Sequence, residues 1–412
     1  MRPIRFVHCS DIHLGCSFKG VASNDTGLAG KLTAATFDAF ASIINLAIDN
    51  NVDFVLIAGD LFDTEDRSLK SRLFLRDQLI RLDSHKIKSY IVCGNHDPLD
   101  NWSQTVKLPD SVCIFEAGEP QTEVFENGGE PLATITGVSF PTANVKKNLA
   151  KSFKAPEDNL PSIALLHTDV GSLDIKSYAP CQLKDLEKTD FDYWAIGHVH
   201  SFNVLIFFSP AVVYPGCSQG TSPRETGAKG CCLVRLEANA EPEIKFVAVD
   251  KVRYFQENLD ISGCTEIREV QERLDVLRSA VLKEAEGREI ILRLILTGRT
   301  ALHRELRSAG KEDLDDLCNV CLQGCFVDRI SIDTRNDIDK DSLRNSSGFP
   351  AEVLEETEKL RSLENLQSLK SELSTISRSC RELDTFSDDE LEHILLKAED
   401  LLLDRLVGDV EH

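Results

Sequence analysis

Five short apolar runs, each ending in a cluster of aspartate, asparagine or histidine, limit the folds open to this chain. "RFVHCSD" leads into Asp11-Ile12-His13, "VDFVLIAGD" ends on Gly59-Asp60, and "SYIVCGNHD" closes with Gly94-Asn95-His96-Asp97. "SIALLHTD" reaches His167, and "FDYWAIGHVH" finishes with Gly197-His198-Val199-His200. Runs of this length flanked by such signals are buried strands. Between the first three lie stretches of helical period. One spans about 34–50, with Phe37, Phe40, Ile44 and Ile48 three or four apart, and the other is "SLKSRLFLRDQLIRL". Strand and helix in alternation predict an α/β fold. Such folds place ligand sites at the carboxyl ends of their strands, so the five clusters should converge on one edge.

In an extended chain, side chains two apart point the same way, so His198 and His200 present two imidazoles together. The clusters deliver aspartates, an asparagine and histidines, and no cysteine. Oxygen and imidazole donors suit Mn, Fe or Zn. An aspartate can bridge two such ions about 3.5–4 Å apart, the arrangement that activates water against phosphorus. A single Asp-x-His or His-x-His is usually incidental. Here five of the ten histidines fall in the clusters, each just past a strand. His8 reads as a core histidine within a strand. His85, His303, His393 and His412 read as surface residues.

A chain of 412 residues fits two or three domains. No apolar run approaches the roughly 20 residues that span a bilayer. The start "MRPIRFVHCSDIH" turns polar too early for a signal peptide. Thirteen scattered cysteines, an odd number, fit reduced thiols in the cytoplasm. A net charge of −22 argues against a generally basic surface. The acidity is uneven, since the last 72 residues hold 18 acidic and 8 basic residues. Metal-bridged phosphate binding also needs less lysine and arginine.

Residues 1–252 make the first expected domain. A small α/β domain follows over 253–336, with helices near 266–285 and 301–308 and strands near 289–296 and 325–333. Residues 337–350 are polar, with Ser, Asn, Gly and Pro, and predict a linker. Helices are expected over 351–412. The first would carry Leu354, Thr357, Leu360, Leu363, Leu366, Leu369, Leu373 and Ile376 as a stripe. The second opens on Ser387 and Glu390 at capping-box spacing, with Leu391, Ile394, Leu395, Ala398, Leu402 and Leu406 on one face. Cys318, Cys321 and Cys325 have metal-like spacing without an evident fourth ligand, and burial in the small domain is the plainer reading. "NVKKNLAKSFK", with Lys146, Lys147, Lys151 and Lys154, is either a track for a phosphate backbone or a solvated helix face.

The ordered set "DIHLG", "GDLFD", "GNHD", the histidine of "LLHTD", and "GHVH" resembles the calcineurin-like metallophosphoesterases over about the first 240 residues. Together with "VVYPGCSQGTSPRETGAKGC", it is similar to bacterial DNA-repair exonucleases of the SbcD and YhaO type. The resemblance implies a two-sheet α/β sandwich with a small α/β capping domain and a C-terminal helical segment. It implies two divalent ions, Mn first among Mn, Fe and Zn. Asp11, His13 and His200 would hold one ion, Asn95, His167 and His198 the other, and Asp60 would bridge them. His96 would orient the phosphate or protonate the leaving oxygen. Asp97 would stand behind the ligands and hold an imidazole in place. Arg224 and Lys229 would lie near substrate phosphate. Where related archaeal and eukaryotic nucleases often have histidine three residues past the bridging aspartate, this chain has Asp63, as bacterial members commonly do.

The activity implied is exonucleolytic hydrolysis of DNA, with endonuclease activity on single strands beside it. The partners implied are DNA, an SMC-like ATPase of the SbcC or YhaN type docked on the C-terminal leucines, and a second copy of the chain. Packing of those leucines on the capping domain is the other reading. A small-molecule phosphatase or cyclic-nucleotide phosphodiesterase would turn over a small diester and leave duplex DNA intact. A non-catalytic DNA- or ATPase-binding subunit would keep its role after His96→Ala.

Overall fold

A computed structural model describes residues 2–16, 18, 26–63, 68–101, 106–171, 178–208, 210–238, 240–362, 365–369 and 387–408. Two compact units divide the chain. The first takes Met1–Gln256, Val281–Arg293 and Gly324–Asp328, and the second takes Glu257–Ala280, Leu294–Gln323 and Arg329–His412.

The apolar runs become strands of two six-stranded sheets. In one, β1 (Ile4–Cys9), β2 (Phe54–Ala58), β3 (Lys88–Val92) and β4 (Val112–Ile114) run parallel. The other has the order β5 (Gln121–Asn127), β6 (Glu130–Gly137), β7 (Ser162–His167), β8 (Tyr193–Gly197), then β10 (Ala211–Tyr214) and β9 (Asn203–Ile206). Here β6, β7, β8 and β10 are parallel to one another. Antiparallel β11 (Gly230–Leu236) and β12 (Glu243–Ala248) extend the first sheet beyond β1.

Side chains two apart share a face, so each central strand serves two cores. Ile4 and Phe6 of β1, with Phe54 and Leu56 of β2, pack between the sheets against Ile163, Leu165, Tyr193 and Ala195. The alternate residues Val7, Cys9, Val55 and Ile57 face helices α1 (Thr26–Asp49) and α2 (Leu69–Ser84) through Phe40, Ile43, Leu75 and Leu79. Leu166, Trp194 and Ile196 pack outward on Phe153, Phe191 and Leu186 of α3 (Leu183–Glu187). Strands buried on both faces read as unbroken apolar runs, and each such side chain contributes about 1.5–3 kcal/mol. The two-sheet sandwich expected from the resemblance is the fold found.

Helix α1 starts earlier than the expected 34. The lysine segment is no helix face: residues 143–149 are irregular, followed by a 3₁₀ turn at Ala150–Ser152. Val145, Leu149, Ala150 and Phe153 are drawn into the core instead.

A third sheet joins β13 (Val252–Asp260), β14 (Glu289–Thr300) and β15 (Phe326–Asn336) in that order. Its helices are α4 (Ile267–Ala285), α5 (His303–Ser308) and α6 (Lys311–Cys321), the last not expected from the sequence. Cys318 and Cys321 lie one turn apart on α6, both buried, and burial pushes the Cys318 thiol up to about 12. They pack as small apolar side chains, and neither they nor Cys325 enter a metal-capable cluster among the described residues. His303, expected at the surface, is buried with Nδ1 2.9 Å from Thr334 Oγ1.

The polar stretch expected as a linker contains a helix, α7 (Lys340–Arg344), capped by Asp339. Ile338 joins Leu354 of α8 (Phe349–Leu360) and Leu403 of α9 (Asp388–Leu403) in a small core. The first leucine stripe breaks after Leu360 and resumes as a helical turn at 365–369, where Leu366 is buried. Leu363, Leu373 and Ile376 lie outside the described residues. The Ser387–Glu390 capping box forms as expected.

The buried face of α9, however, is Leu391, Glu399 and Leu403, while Ile394 and Leu402 of the expected stripe are 42% and 48% exposed. Ion pairs turn the helix. Glu399 and Asp400 meet Lys340 at 2.6 and 2.9 Å, and Asp404 meets Arg299 and Arg335 at 2.8 and 2.9 Å. No helix among the described residues is long and apolar enough to cross a membrane.

Candidate metal centre

The carboxyl ends of β1, β2 and β3 meet those of β7 and β8 from the opposite sheet. All seven residues expected as ligands, with His96, lie at these five strand ends. The approach depends on two glycines. A Cβ on Gly197 would fall 2.0 Å from the Ala58 carbonyl oxygen, and one on Gly94 would fall 2.2 Å from Asp60 Oδ1. Gly197→Ala must therefore part the sheets at the centre. We expect a loss of about 1–3 kcal/mol or more, read as a lower urea midpoint. Asp11, His13, Asp60 and His198 all have positive φ, at 51°, 47°, 53° and 111°. Such backbone is costly for residues other than glycine and concentrates at functional sites.

One group of donors is Asp11, His13 and His200. His200 Nε2 is 3.7 Å from Asp11 Oδ1 and 3.4 Å from His13 Nε2. Asp60 Oδ2 stands 4.0 Å from His13 Nε2 and 3.5 Å from His167 Nε2. His167 Nε2 is 3.0 Å from Asn95 Oδ1, and the His167 and His198 rings are 5.2 Å apart, edge to face. Asp60 thus stands between two donor sets.

The residues fit divalent ions. Asp11 Oδ1 is fully buried without a hydrogen-bond partner, an expensive state unless a cation meets it. The spacing of roughly 3–4 Å between donors is that of neighbouring ligands around one ion. Two of the groups able to hold a metal among the described residues are made wholly of these ligands, Asp11 with His13 and His200, and Asp11 with Asp60 and His167.

Surrounding bonds fix which atom each ligand offers. His167 Nδ1 donates to the Ala58 carbonyl at 2.9 Å, leaving Nε2 for the centre. Asp11 Oδ2 accepts from Ser10 Oγ at 2.5 Å and from the His198 amide at 3.0 Å. Burial opposes charge on Asp11, yet His200, His167 and His13 hold its carboxyl below the usual range. Burial lowers His13, and burial with neighbouring His167 lowers His198 to about 4, keeping both imidazoles neutral.

Asp97, expected to hold an imidazole in place, also ties backbone together. Its carboxylate accepts the amides of Asp60 at 3.2 Å, Leu61 at 2.8 Å and Gly94 at 2.9 Å, which ties the turn after β2 to that after β3. Burial and the nearby Asp60 push it up to about 7. The His96 amide donates to Asp60 Oδ1 at 2.9 Å. The His96 ring is half-exposed, 3.1 Å from Asp63 Oδ1 through Nδ1, and that bond raises its pKa.

Of the residues expected near substrate, Arg224 is exposed. Lys229 is not available: it is buried, and its ammonium donates to the His200 carbonyl at 3.3 Å. Its neighbour Glu225, missed in the sequence, contacts His200 Nδ1. That bond holds His200 up to about 9 against burial, and Glu225 falls to about 2. Nothing in the sequence joins residues 25 apart across a loop. Tyr178 was also missed; its ring packs on His198 at 5.5 Å and lies under the Lys146 ammonium at 5.3 Å.

Residues 4–202 match the family of calcineurin-like phosphoesterases, and with this fold and donor set the chain carries a calcineurin-like metallophosphoesterase domain. Residues 254–335 match a second family, the middle domain of metallophosphoesterase YhaO. Among curated relatives, the uncharacterized metallophosphoesterase YhaO of Bacillus subtilis is 34% identical over 263 residues, 64% of each chain. The DNA double-strand break repair protein Mre11 of Thermoplasma acidophilum is 25% identical over 60% of this chain and 66% of its own. The Mre11 protein of Sulfurisphaera tokodaii is 26% identical over 65% and 68%. The match therefore spans about two thirds of these relatives. The phosphoesterase family implies divalent metal ions, and the aspartate and histidine clusters can bind them.

Proposed function

We propose that this protein hydrolyses phosphodiester bonds of DNA with two divalent ions, as a repair exonuclease that also cuts single strands internally. The observation that carries the reading is Asp60 Oδ2, which stands between His13 and His167 of two donor sets. Asp11, His13 and His200 would hold one ion, Asn95, His167 and His198 would hold the other, and Asp60 would be shared. Mn suits this mixed oxygen and imidazole set. Bound ions supply positive charge to the phosphoryl oxygens and lower the pKa of water. His96, half-exposed and oriented by Asp63, protonates the leaving oxygen or steadies the phosphate. Asp97 keeps the turns carrying Asp60 and Asn95 in register. Lys146 above Tyr178 sets a cation beside the centre for a phosphate backbone, and exposed Arg224 offers a second.

DNA is favoured as substrate by the Mre11 relatives, named for double-strand break repair. The segment after residue 252 acts as the capping domain. The exposed Ile394, Leu401 and Leu402 of α9 offer a helix-in-groove contact to an SMC-like ATPase. The buried thiols, such as Cys9 and Cys217, suit the cytoplasm.

The test is cleavage of end-labelled duplex DNA with added Mn²⁺, beside hydrolysis of bis-p-nitrophenyl phosphate. Progressive shortening of the duplex supports the reading. Turnover of the small diester with intact DNA, alone and with an ATPase partner, reduces it to a phosphoesterase of small molecules.

A further inference from the structure

Glu225 is joined to the centre by one bond and to its own loop by others. One carboxylate oxygen contacts His200 Nδ1. The second accepts the backbone amides of Thr221 at 2.6 Å and Ser222 at 3.1 Å. The carboxylate is therefore held from behind, and the imidazole is held by it. The loop is anchored to the same histidine at other points: the Cys217 amide and the Lys229 ammonium both donate to the His200 carbonyl, each at 3.3 Å.

The consequence is a fixed tautomer. With Nδ1–H given to Glu225, Nε2 is the ring nitrogen left facing Asp11 and His13, where a bound ion would take the place of a proton. A histidine ligand whose far nitrogen meets a carboxylate is a better donor and loses less rotamer freedom on binding. The contrast with His167 is informative, since its Nδ1 is held by the neutral Ala58 carbonyl. The two donor sets thus differ in the charge behind one histidine.

We propose that Glu225 is a positioning residue for the ion held by Asp11, His13 and His200, fixing the His200 ring and strengthening that ion's binding over its neighbour's. The inference rests on the two-ion reading above. It assigns a function to the "SPRETG" turn beyond closing the chain: to deliver a carboxylate behind the last histidine of "GHVH".

The experiment is calorimetric titration of Mn²⁺ into metal-stripped full-length protein, comparing wild type with Glu225→Ala and Glu225→Gln. Wild type should take up two ions. Glu225→Ala should weaken one of the two by about 10–100-fold and leave the other within a few-fold. Glu225→Gln, which keeps an oxygen able to accept from Nδ1, should lie between. It also decides the matter should the alanine protein fail to fold. Wild-type affinity for both ions in the folded variants, even with a lower melting temperature, would make Glu225 merely a loop anchor and overturn the proposal. A wild-type protein that binds no Mn²⁺ overturns the two-ion reading itself, and this inference with it.

Discussion

Asp60→Ala should reduce phosphodiester hydrolysis by about 10³-fold or more, because this carboxylate is common to both donor sets. Oδ2 stands 3.5 Å from His167 Nε2 and 4.0 Å from His13 Nε2, while Oδ1 accepts the His96 amide. On the two-ion reading, its loss would withdraw a ligand from both ions together and free the turn that carries Asn95 and His96. Ions at such a centre supply several kcal/mol to the transition state. Each 1.36 kcal/mol is tenfold in rate, which sets the size of the fall. The backbone should survive, since the Asp60 and Leu61 amides remain bound to Asp97. Cleavage of labelled duplex with Mn²⁺ reads the loss, and metal stoichiometry should fall below two. A variant that cleaves at the wild-type rate would refute the bridging role.

The second large effect belongs to His96. His96→Ala should slow DNA cleavage by about 10²–10⁴-fold, the usual worth of a positioned acid or base, with Mn²⁺ binding retained. The half-exposed ring lies edge-on to His13 at 4.8 Å, beside the donors and not among the seven. Asp63 orients it through Nδ1, so Asp63→Ala should give a smaller loss of the same kind. The leaving group separates proton donation from metal binding. p-Nitrophenolate departs without a proton, so the variant should lose far less rate on bis-p-nitrophenyl phosphate than on DNA. Equal losses on both substrates would shift His96 to holding the phosphate. Loss of Mn²⁺ would make it a ligand.

The strand ends were legible because two periods coincide there. Residues buried on both faces read as an apolar run, and the polar residue that ends the run marks the carboxyl end of a parallel strand. Asp11, Asp60, Asn95, His167, His198 and His200 were found by that logic before any contact was known. The resemblance then supplied their division into two sets. Helix amphipathicity was a weaker guide. On α9 the leucine stripe matched the helical period, but ion pairs of Glu399, Asp400 and Asp404 set the rotation and left Ile394 and Leu402 outside. His303 looked like a surface residue because no local pattern marks a polar partner 31 residues away.

The sequence by itself determined the alternation of strands and helices and the donor types at five strand ends, and hence a candidate metal centre. Those are local properties, carried by residues within one or two positions of a strand terminus. Only the tertiary structure decided that the ends come from two facing sheets, that Asp97 holds backbone amides, that Lys229 is committed to a carbonyl, and that Glu225 stands behind His200. These are pairings across 25 or more residues, except for Gly94 to Asp97, and they depend on register and loop path. A hydrogen bond is decided within a few tenths of an ångström, a scale at which spacing along a chain carries no information until the sheets have packed.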